Sequence, residues 1–468
     1  MRRLESMKLS TSLSLAAVSV VLWIVDAGAA RPRYGGTLRV ETIAAMRTLN
    51  PAAAPLDEAD AAARRVLFPL IFETLVVPDR TGGLHGLLAE RWESSTDAKE
   101  WRFWLRPGVR LHDGTPLDSA RIAAALATRE PAWQIAAHGG SITILLAEAI
   151  PDLPWLLATG RYAIGFGRSG GGEPIGSGPF AIERWEPKRL RLRAHEHHWQ
   201  GRAFLDAVQI EMARPVAEQV ASIELGRADV AAIGVQDTRR LSVRGLRIVS
   251  SAPRELIALV FPREATPAAV RDALTQAVDR HAMWTALLQR HGEPAGGLLP
   301  SWISGYRTTA MAVDRARSRS IVAHVPPSER HVALRLADTD PLLRSVAERV
   351  AVDARDVGLT IDISGPGAAP VRSGLVRMIR IGVDATTPGR ALAGLARKLE
   401  IPFALDVRSL EAVYRAERTL LEEGSIVPLV YVPDLYAAGP EVDSWTAPLI
   451  EPWGAWNLAD VWLKAPAP

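Results

Sequence analysis

The densest cluster of potential metal ligands in the chain is His195-Glu196-His197-His198, which Trp199 follows. Three imidazoles and one carboxylate within four residues are ligand types that zinc accepts. In a strand, however, His195 and His197 project to one face and His198 projects to the other. The helical His-Glu-x-x-His pattern of zinc enzymes is absent from the sequence. The spacing therefore disfavours a metal site, and we expect neither a bound metal nor a cofactor.

A second candidate surface is the segment Trp101–Arg106, in which apolar and polar residues alternate. This is the period-two pattern of a half-buried strand. Arg102, Trp104 and Arg106 share the polar face of that strand and could line a surface for anions or aromatic groups. A solvated strand face with a partly covered tryptophan is the simpler interpretation. We retain Trp104 as a candidate ligand contact.

The glycine-rich segment Gly165–Gly178 invites comparison with a phosphate-binding loop. Such a loop needs Gly-Lys-Ser or Gly-Lys-Thr at the start of a helix. Here Pro179 and Phe180 lead into residues typical of a strand, so the pattern indicates a linker beside a hinge. No Ser-His-Asp triad or carboxylate pair can be argued from spacing, and the sequence therefore predicts no catalytic site.

The elements that would position these residues are helices and strands in alternation. Apolar residues at helical spacing predict helices over 57–75, 119–127 and 215–225. A longer amphipathic helix is predicted from Thr266, as a hydroxyl cap, to Leu288. The strand, helix and strand pattern over 332–363 predicts a parallel pair with a right-handed crossover. The fold class predicted is α/β.

Length and composition limit the possibilities further. A chain of 468 residues exceeds one ordinary core, so two or three domains are expected. The formal net charge of +3 is too close to neutral to indicate a nucleic acid or an anionic membrane as partner. The absence of cysteine excludes disulfides, thiol catalysis and metal sites with cysteine ligands.

The first thirty residues have the pattern of a secretory signal peptide. Arg2, Arg3 and Lys8 form a basic region, an apolar run follows over 13–25, and Ala27–Ala30 supplies small residues for cleavage. The apolar run is shorter than the roughly 20 residues of a membrane span. An uncleaved N-terminal anchor is the alternative interpretation.

Several segments of the sequence are more informative about function than its overall composition. The longest is Leu88–Leu117, which contains LAERWE and LRPGVRLHDGTPL. The others follow in chain order: Tyr34–Leu38, Leu49–Pro51, Ile71–Val76, Ile175–Phe180, Leu225–Val230 and Val270–Arg280. In their residues and in their order along the chain, these segments resemble those of family 5 of the bacterial extracellular solute-binding proteins, the peptide and nickel class.

The resemblance implies a two-lobed α/β periplasmic binding protein of type II, the large peptide-binding class, with a small additional domain in the first lobe. In the implied division, a signal peptide covers 1–30 and the small inserted domain covers 59–173. The second lobe covers 256–439. The first lobe is discontinuous and combines three segments: 31–58, 174–255 and 440–468. The sequence lacks the longer insertion that the family places before residue 141, so the inserted domain is expected to be trimmed.

The resemblance also implies a ligand site. Asp384 matches an aspartate that pairs with the ligand's amino group in peptide-binding members, and Pro388 matches the proline that follows. Thr387 replaces an acidic residue of the family pattern. We therefore expect Asp384 to be an amino-group anchor, with Thr387 and Trp104 as candidate further contacts. An aspartate that only caps the next helix is the alternative. For His195–His198 the resemblance implies a surface turn.

The function implied is capture without catalysis. Two lobes would close on a peptide or a similar small solute and deliver it to the transmembrane subunits of an ABC permease. A non-peptide solute, such as a metal chelate, sugar or cation, is the first alternative, and a periplasmic hydrolase is the second. Many relatives carry a lipid-modified cysteine that this sequence lacks. We therefore expect a diffusing, monomeric periplasmic protein that binds no nucleic acid.

Overall fold

Strands and helices alternate along the whole chain. The computed structural model describes residues 31–80, 82–167, 172–262, 266–306, 309–367, 375–383, 387–401, 409–444 and 446–464. The predicted signal peptide and Asp384 lie outside these residues. Residues from Pro32 onward form one compact unit. Among the described residues, no helix combines the length and the hydrophobicity needed to cross a bilayer.

The strands are β1 (Thr37–Glu41), β2 (Val76–Pro78), β3 (Leu84–Gly86), β4 (Ala89–Ser94), β5 (Glu100–Leu105), β6 (Gln134–His138), β7 (Ser141–Leu145), β8 (Phe180–Glu186), β9 (Arg189–Ala194), β10 (Ala207–Glu211), β11 (Val230–Ala232), β12 (Arg247–Ser250), β13 (Glu255–Val260), β14 (Glu293–Pro294), β15 (His331–Leu336), β16 (Thr360–Ser364), β17 (Val376–Gly382), β18 (Ile426–Val432), β19 (Leu435–Ala438), β20 (Val442–Ser444) and β21 (Val461–Leu463).

The α-helices are α1 (Glu58–Ile71), α2 (Ser119–Arg129), α3 (Leu153–Leu157), α4 (Val216–Glu224), α5 (Thr238–Val243), α6 (Ala268–Ala277), α7 (Arg280–Ala282), α8 (Ser301–Ser304), α9 (Arg315–Ala323), α10 (Pro341–Arg355), α11 (Pro388–Lys398) and α12 (Leu410–Glu422). Short 3-10 turns lie at Gly160–Tyr162, Val235–Asp237, Pro327–Glu329 and Leu458–Asp460.

The first sheet takes its strands from both ends of the sequence. Its order within the described residues is β12-β19-β11-β1-β10-β9-β8. The central strand β1 is parallel to β10 and β11, while β19 is antiparallel to β11 and β12. β8 and β9 form an antiparallel hairpin at one end of the sheet. Trp456 of the C-terminal segment is buried in the same core as Leu38 and Phe180.

The second sheet has the order β14-β18-β13-β17-β15-β16. β15 and β16 pair in parallel and α10 connects them, which confirms the predicted strand, helix and strand unit. One core, around Leu334 and Val350, includes residues of α10, and a separate core, around Leu256 and Leu392, includes residues of α11. The carboxyl ends of β15 and β17 therefore lie at one edge of this sheet, because the two strands are parallel.

The third sheet is antiparallel, with the order β4-β5-β7-β6, and α2 packs against it. The alternation predicted for β5 is confirmed, since Trp101 and Phe103 are buried and Arg102 is exposed. Trp101 and Phe103 share a core with Ile142 and Leu126.

The single helix predicted from Thr266 to Leu288 is wrong, because the chain breaks in the middle of it. Helix α6 ends at Ala277, and Val278 has extended backbone angles. Asp279 then caps α7 through its side chain, while its own N–H donates to the buried Asp353 carboxylate over 3.0 Å. Met283–Leu287 continues as a π-helical turn. Thr266 makes no capping bond, since Pro267 occupies the N-cap position.

A candidate ligand cleft

The site predicted around Asp384 belongs to the segment between β17 and α11. Asp384 itself, with 385 and 386, is outside the described residues, but both flanks are described. On one side, the buried Val383 donates its N–H to the Arg254 carbonyl over 2.8 Å. On the other side, Thr387 precedes the first turn of α11. The segment thus follows the carboxyl end of a sheet strand, the edge where α/β folds place ligands.

Thr387 and Arg390 are the described polar groups at the start of α11, and both contact Asp152. The Arg390 guanidinium donates through Nε to Asp152 Oδ2 over 2.6 Å and through Nη2 to Oδ1 over 2.8 Å. The Thr387 hydroxyl donates to Asp152 Oδ2 over 3.0 Å. Asp152 lies between β7 and α3, beside the third sheet. The start of α11 is therefore bonded to a segment 235 residues earlier.

This bidentate pair is charge-assisted and partly desolvated, with 36% of the Arg390 side chain and 28% of the Asp152 side chain exposed. Burial of Asp152 opposes its ionisation, but the bonds and charge of Arg390 outweigh burial and lower the pKa of the carboxyl below its ordinary value. The same bonds raise the pKa of Arg390. Both groups are thus charged at neutral pH.

Tyr162 lies close enough to Arg390 for the two to interact electrostatically. The Tyr162 hydroxyl donates to Glu130 Oε1 over 2.6 Å, and its ring stacks on Trp133 with a centroid distance of 5.7 Å. Burial and the bond to Glu130 raise the pKa of Tyr162. The stacked rings of Tyr162 and Trp133 and the carboxylate of Glu130 therefore lie near Arg390, on the same side as Asp152.

A charged group of the second sheet lies at the same edge as the end of β17. Arg380 donates to Glu255 over 2.6 Å and to Asp340 over 2.6 Å. Burial disfavours the Arg380 charge, but the two carboxylates outweigh it and raise the pKa of the guanidinium. These three groups fix the ends of β13, β15 and β17 relative to one another.

Arg254 joins this edge to the C-terminal segment. The side chain is almost fully buried, with 1% exposed. Its guanidinium donates to the Trp453 carbonyl over 2.7 Å and to the Val383 carbonyl over 3.4 Å. Nearby, Ser251 and Asp434 bond to each other where the chain passes between the first and second sheets. Arg254 thus links Val383, directly after β17, to the C-terminal segment, and no local sequence pattern indicated this role.

Trp104 lies on β5, where two guanidinium groups contact its ring. Arg91 Cζ is 3.6 Å and Arg102 Cζ is 4.9 Å from the ring centroid, which are cation–π distances. Among the hydrogen bonds and ion pairs of the described residues, none links Trp104 to Thr387. A role for Trp104 in ligand contact stays a prediction.

The histidine cluster is buried, contrary to the surface turn that the resemblance implies. Residues 196 and 197 do form a turn, but His195 and His198 are 5% and 6% exposed. Among the described residues, no group of three or more His, Cys, Asp or Glu side chains is arranged to hold a metal ion.

Glu73, which is 3% exposed, is the centre of this buried network. Its carboxylate accepts from Ser177 Oγ over 2.7 Å, from Trp199 Nε1 over 2.8 Å and from His198 Nε2 over 3.2 Å. Glu73 and Ser177 both belong to segments that carried the family resemblance. Their joint occurrence in the sequence was the signal that could have revealed this network.

His112 extends the same network. Its Nδ1 accepts the Gly176 N–H over 3.2 Å, so the neutral ring carries its proton on Nε2 and donates it to the Gly178 carbonyl over 3.1 Å. Burial, reinforced by His195 at a centroid distance of 5.0 Å, lowers the pKa of His112 to about 3. Burial also lowers the pKa of His195. These rings are neutral structural groups at physiological pH.

Comparison with known proteins places this geometry in a family. Residues 83–134 and 140–388, more than half of the chain, match the family model described as bacterial extracellular solute-binding proteins, family 5 Middle. A curated relative, the HTH-type transcriptional regulator SgrR of Salmonella choleraesuis (strain SC-B67), is 30% identical over 166 residues, which are 32% of this chain and 30% of the regulator. The chain spans less than half the length of such curated relatives.

Solved structures show the same architecture. The ABC transporter substrate-binding protein CtaP from Listeria monocytogenes has a TM-score of 0.75 at 16% identity, with 92% of this chain and 100% of CtaP covered. The oligopeptide-binding protein AppA from Bacillus subtilis, solved with a nonapeptide, has a TM-score of 0.68 at 15% identity, with 93% and 100% covered. This likeness confirms the predicted fold, a two-lobed α/β periplasmic binding protein.

Proposed function

The chain belongs to the bacterial extracellular solute-binding proteins of family 5, and from this premise we propose that it captures a peptide or a similar small solute for an ABC importer. The observation that carries the proposal is the placement of Thr387 and Arg390. They follow Asp384 at the carboxyl edge of the second sheet and contact Asp152 beside the third sheet. A solute held at this edge would touch two differently anchored parts of the protein, and such contacts favour the closed population.

The proposed domains follow the three sheets. The third sheet falls within the inserted domain, 59–173, and the second sheet, apart from Glu255 at the start of β13, falls within lobe II, 256–439. The first sheet combines strands of the discontinuous lobe I, 31–58, 174–255 and 440–468, with β19, which the sequence division had placed at the end of lobe II. We propose that lobe I accordingly takes in Leu435–Ala438.

In peptide recognition, Asp384 is the proposed anchor for the ligand's amino group. The carboxylate would give a charge-assisted bond to an ammonium as the closing lobes expel water. Thr387 already donates to Asp152, so its proposed contribution to the site is mainly to hold Asp152 beside the anchor. The side chains of the peptide would lie in aqueous or apolar pockets, which makes recognition tolerant of sequence.

Native mass spectrometry of protein purified without refolding tests the proposed cargo. Peptide masses that disappear on denaturation support peptide capture. A metal chelate, sugar or cation released instead would replace peptide by another solute in the proposal. Incubation with a peptide library should leave every peptide intact, and cleaved products would identify a hydrolase.

We propose a periplasmic location, with residues 1–30 acting as signal peptide and with a monomer that binds no nucleic acid and docks on permease subunits. The N-terminal sequence of protein from a periplasmic extract tests the signal peptide. A start near Arg31 supports cleavage, whereas an intact Met1 in the membrane fraction would show an anchor. Light scattering of the purified protein checks the monomer.

A further inference from the structure

The bond between Asp152 and Arg390 joins two separate hydrophobic cores. Asp152 directly precedes α3, whose Leu153 and Leu157 belong to the core under the third sheet. Arg390 lies in α11, whose Leu392 belongs to a core of the second sheet. The two cores share no residue. A polar contact therefore connects elements that belong to two different hydrophobic cores.

We propose that Asp152, Arg390 and Thr387 form a polar latch, which holds the ligand-binding edge of the second sheet against the inserted domain and thereby sets ligand affinity. The inference rests on the proposed function, because the latch acts on the edge that carries Asp384. The latch consists of protein atoms only, so it favours closure whichever solute is captured.

Three features make the latch more effective than an ordinary surface ion pair. The guanidinium is bidentate, so two parallel bonds fix the orientation of α11 relative to Asp152. Thr387 adds a third donor to the same carboxylate. Both charged groups are partly buried, and solvent therefore screens them less than it screens exposed pairs.

The latch makes a quantitative link between closure and affinity. The apparent affinity of a ligand that binds only the closed form is its intrinsic affinity multiplied by the closed fraction of the protein. Loss of the latch lowers that fraction and speeds dissociation, since contacts with both sides are lost sooner. We expect the closed-to-open ratio to fall roughly tenfold when the bidentate pair is removed.

The absence of native cysteine allows the distance between the third sheet and the second sheet to be measured directly. Cysteines introduced at Ala136 on β6 and Val352 on α10, both exposed, carry spin labels for double electron–electron resonance. The distance distribution is recorded for the parent chain, Asp152→Asn, Arg390→Gln and the double variant. Glu348→Gln removes the carboxylate of an exposed Arg344 pair within α10 and is the matched control.

The expected result is a longer-distance population in both single variants, with the double variant no further shifted than either one. Thr387→Val, which removes one bond of three, should give a shift of about two- to threefold in the same direction. Glu348→Gln should match the parent chain. An unchanged distribution in Asp152→Asn and Arg390→Gln, with parent-like circular dichroism, would overturn the latch.

Ligand titration separates the latch from the proposed function. A peptide recovered from the purified protein should bind Asp152→Asn more weakly than it binds the parent, by up to about tenfold, because the affinity follows the closed fraction. If the distances shift but no peptide binds any variant, the latch stands and peptide capture fails. If peptide binds all variants equally and the distances do not move, peptide capture stands and the latch fails.

Discussion

The Ser177 hydroxyl donates to the Glu73 carboxylate over 2.7 Å and joins two segments that are 104 residues apart. Glu73 follows α1, and Ser177 belongs to the Gly-Ser-Gly-Pro run that precedes β8. Glu73 lies in the first part of the proposed inserted domain, 59–173, and Ser177 lies just after its end. One buried hydrogen bond therefore joins the beginning of this domain to the segment that follows it.

Replacement of Glu73 by glutamine should lower the free energy of unfolding by about 2 kcal/mol, because charge-assisted bonds from buried donors are lost. The amide also presents an N–H₂ group to donors that need an acceptor. Urea unfolding followed by circular dichroism measures the change. Glu183→Gln, at an exposed carboxylate of the β8–β9 hairpin, is the control and should shift by less than about 0.5 kcal/mol. Equal midpoints for both variants would contradict a structural role of Glu73.

The buried His112 predicts a loss of stability in mild acid. Its pKa is about 3 in the folded chain and 6.5 ordinarily, so between these values the unfolded chain binds more protons than the folded chain. Stability therefore falls as pH drops below 6.5, by about 1.4 kcal/mol per pH unit for one such group. We expect His112→Gln to flatten this dependence between about pH 6 and about pH 4.5.

Urea midpoints across that pH range measure the slope. His138→Gln, at an exposed position of β6, should leave the slope unchanged. A His112→Gln profile as steep as that of the parent would assign the acid sensitivity to other groups, of which His195 is the first to test.

Gly176 should not tolerate a side chain. A Cβ atom there would lie 2.2 Å from the Ile71 carbonyl oxygen and 2.7 Å from Phe72 Cδ1. Because the closest atom belongs to the backbone, it cannot move aside easily. Gly176→Ala should therefore lower the free energy of unfolding by about 3 kcal/mol. Gly140→Ala is the control, since a Cβ at Gly140 meets nothing within 4 Å. Thermal unfolding measures both, and similar melting temperatures would refute the packing argument.

Asp384→Ala should weaken the binding of a free-amine peptide at least tenfold more than the binding of its N-acetylated form. The reason is that only the ammonium makes a charge-assisted bond with the carboxylate. Isothermal titration calorimetry of both peptides measures the difference. Asp272→Ala, at an exposed position of α6, is the control for loss of one carboxylate. Equal losses for the two peptides would remove the amino-group anchor.

Local patterns in the sequence predicted the elements that depend on local contacts. The strand β5 and the parallel pair β15 and β16 follow from periodicity. The break at Val278 could not be predicted in this way. Its cause is a buried acceptor, Asp353, that lies 74 residues further along the chain.

The residues of the candidate site were likewise only partly predictable from the sequence. The family resemblance located the segment around Asp384 and Thr387, because the residues of a motif can be matched by identity even where their spacing predicts nothing. It gave no indication of Asp152, because Arg390 and Asp152 are 238 residues apart and no local pattern links them. The burial of His195 and His198 was missed for the same reason, as Glu73 is more than a hundred residues away.

The position of β19 has a consequence for the timing of folding. This strand, Leu435–Ala438, is inserted between β11 and β12, both of which are synthesised about two hundred residues earlier. Neither neighbour can complete its pairing until residue 438 has left the ribosome. The sheet that contains the first strand of the chain is thus among the last to finish. In a nascent polypeptide with this connectivity, the first sheet therefore stays incomplete until almost all of the chain has been synthesised.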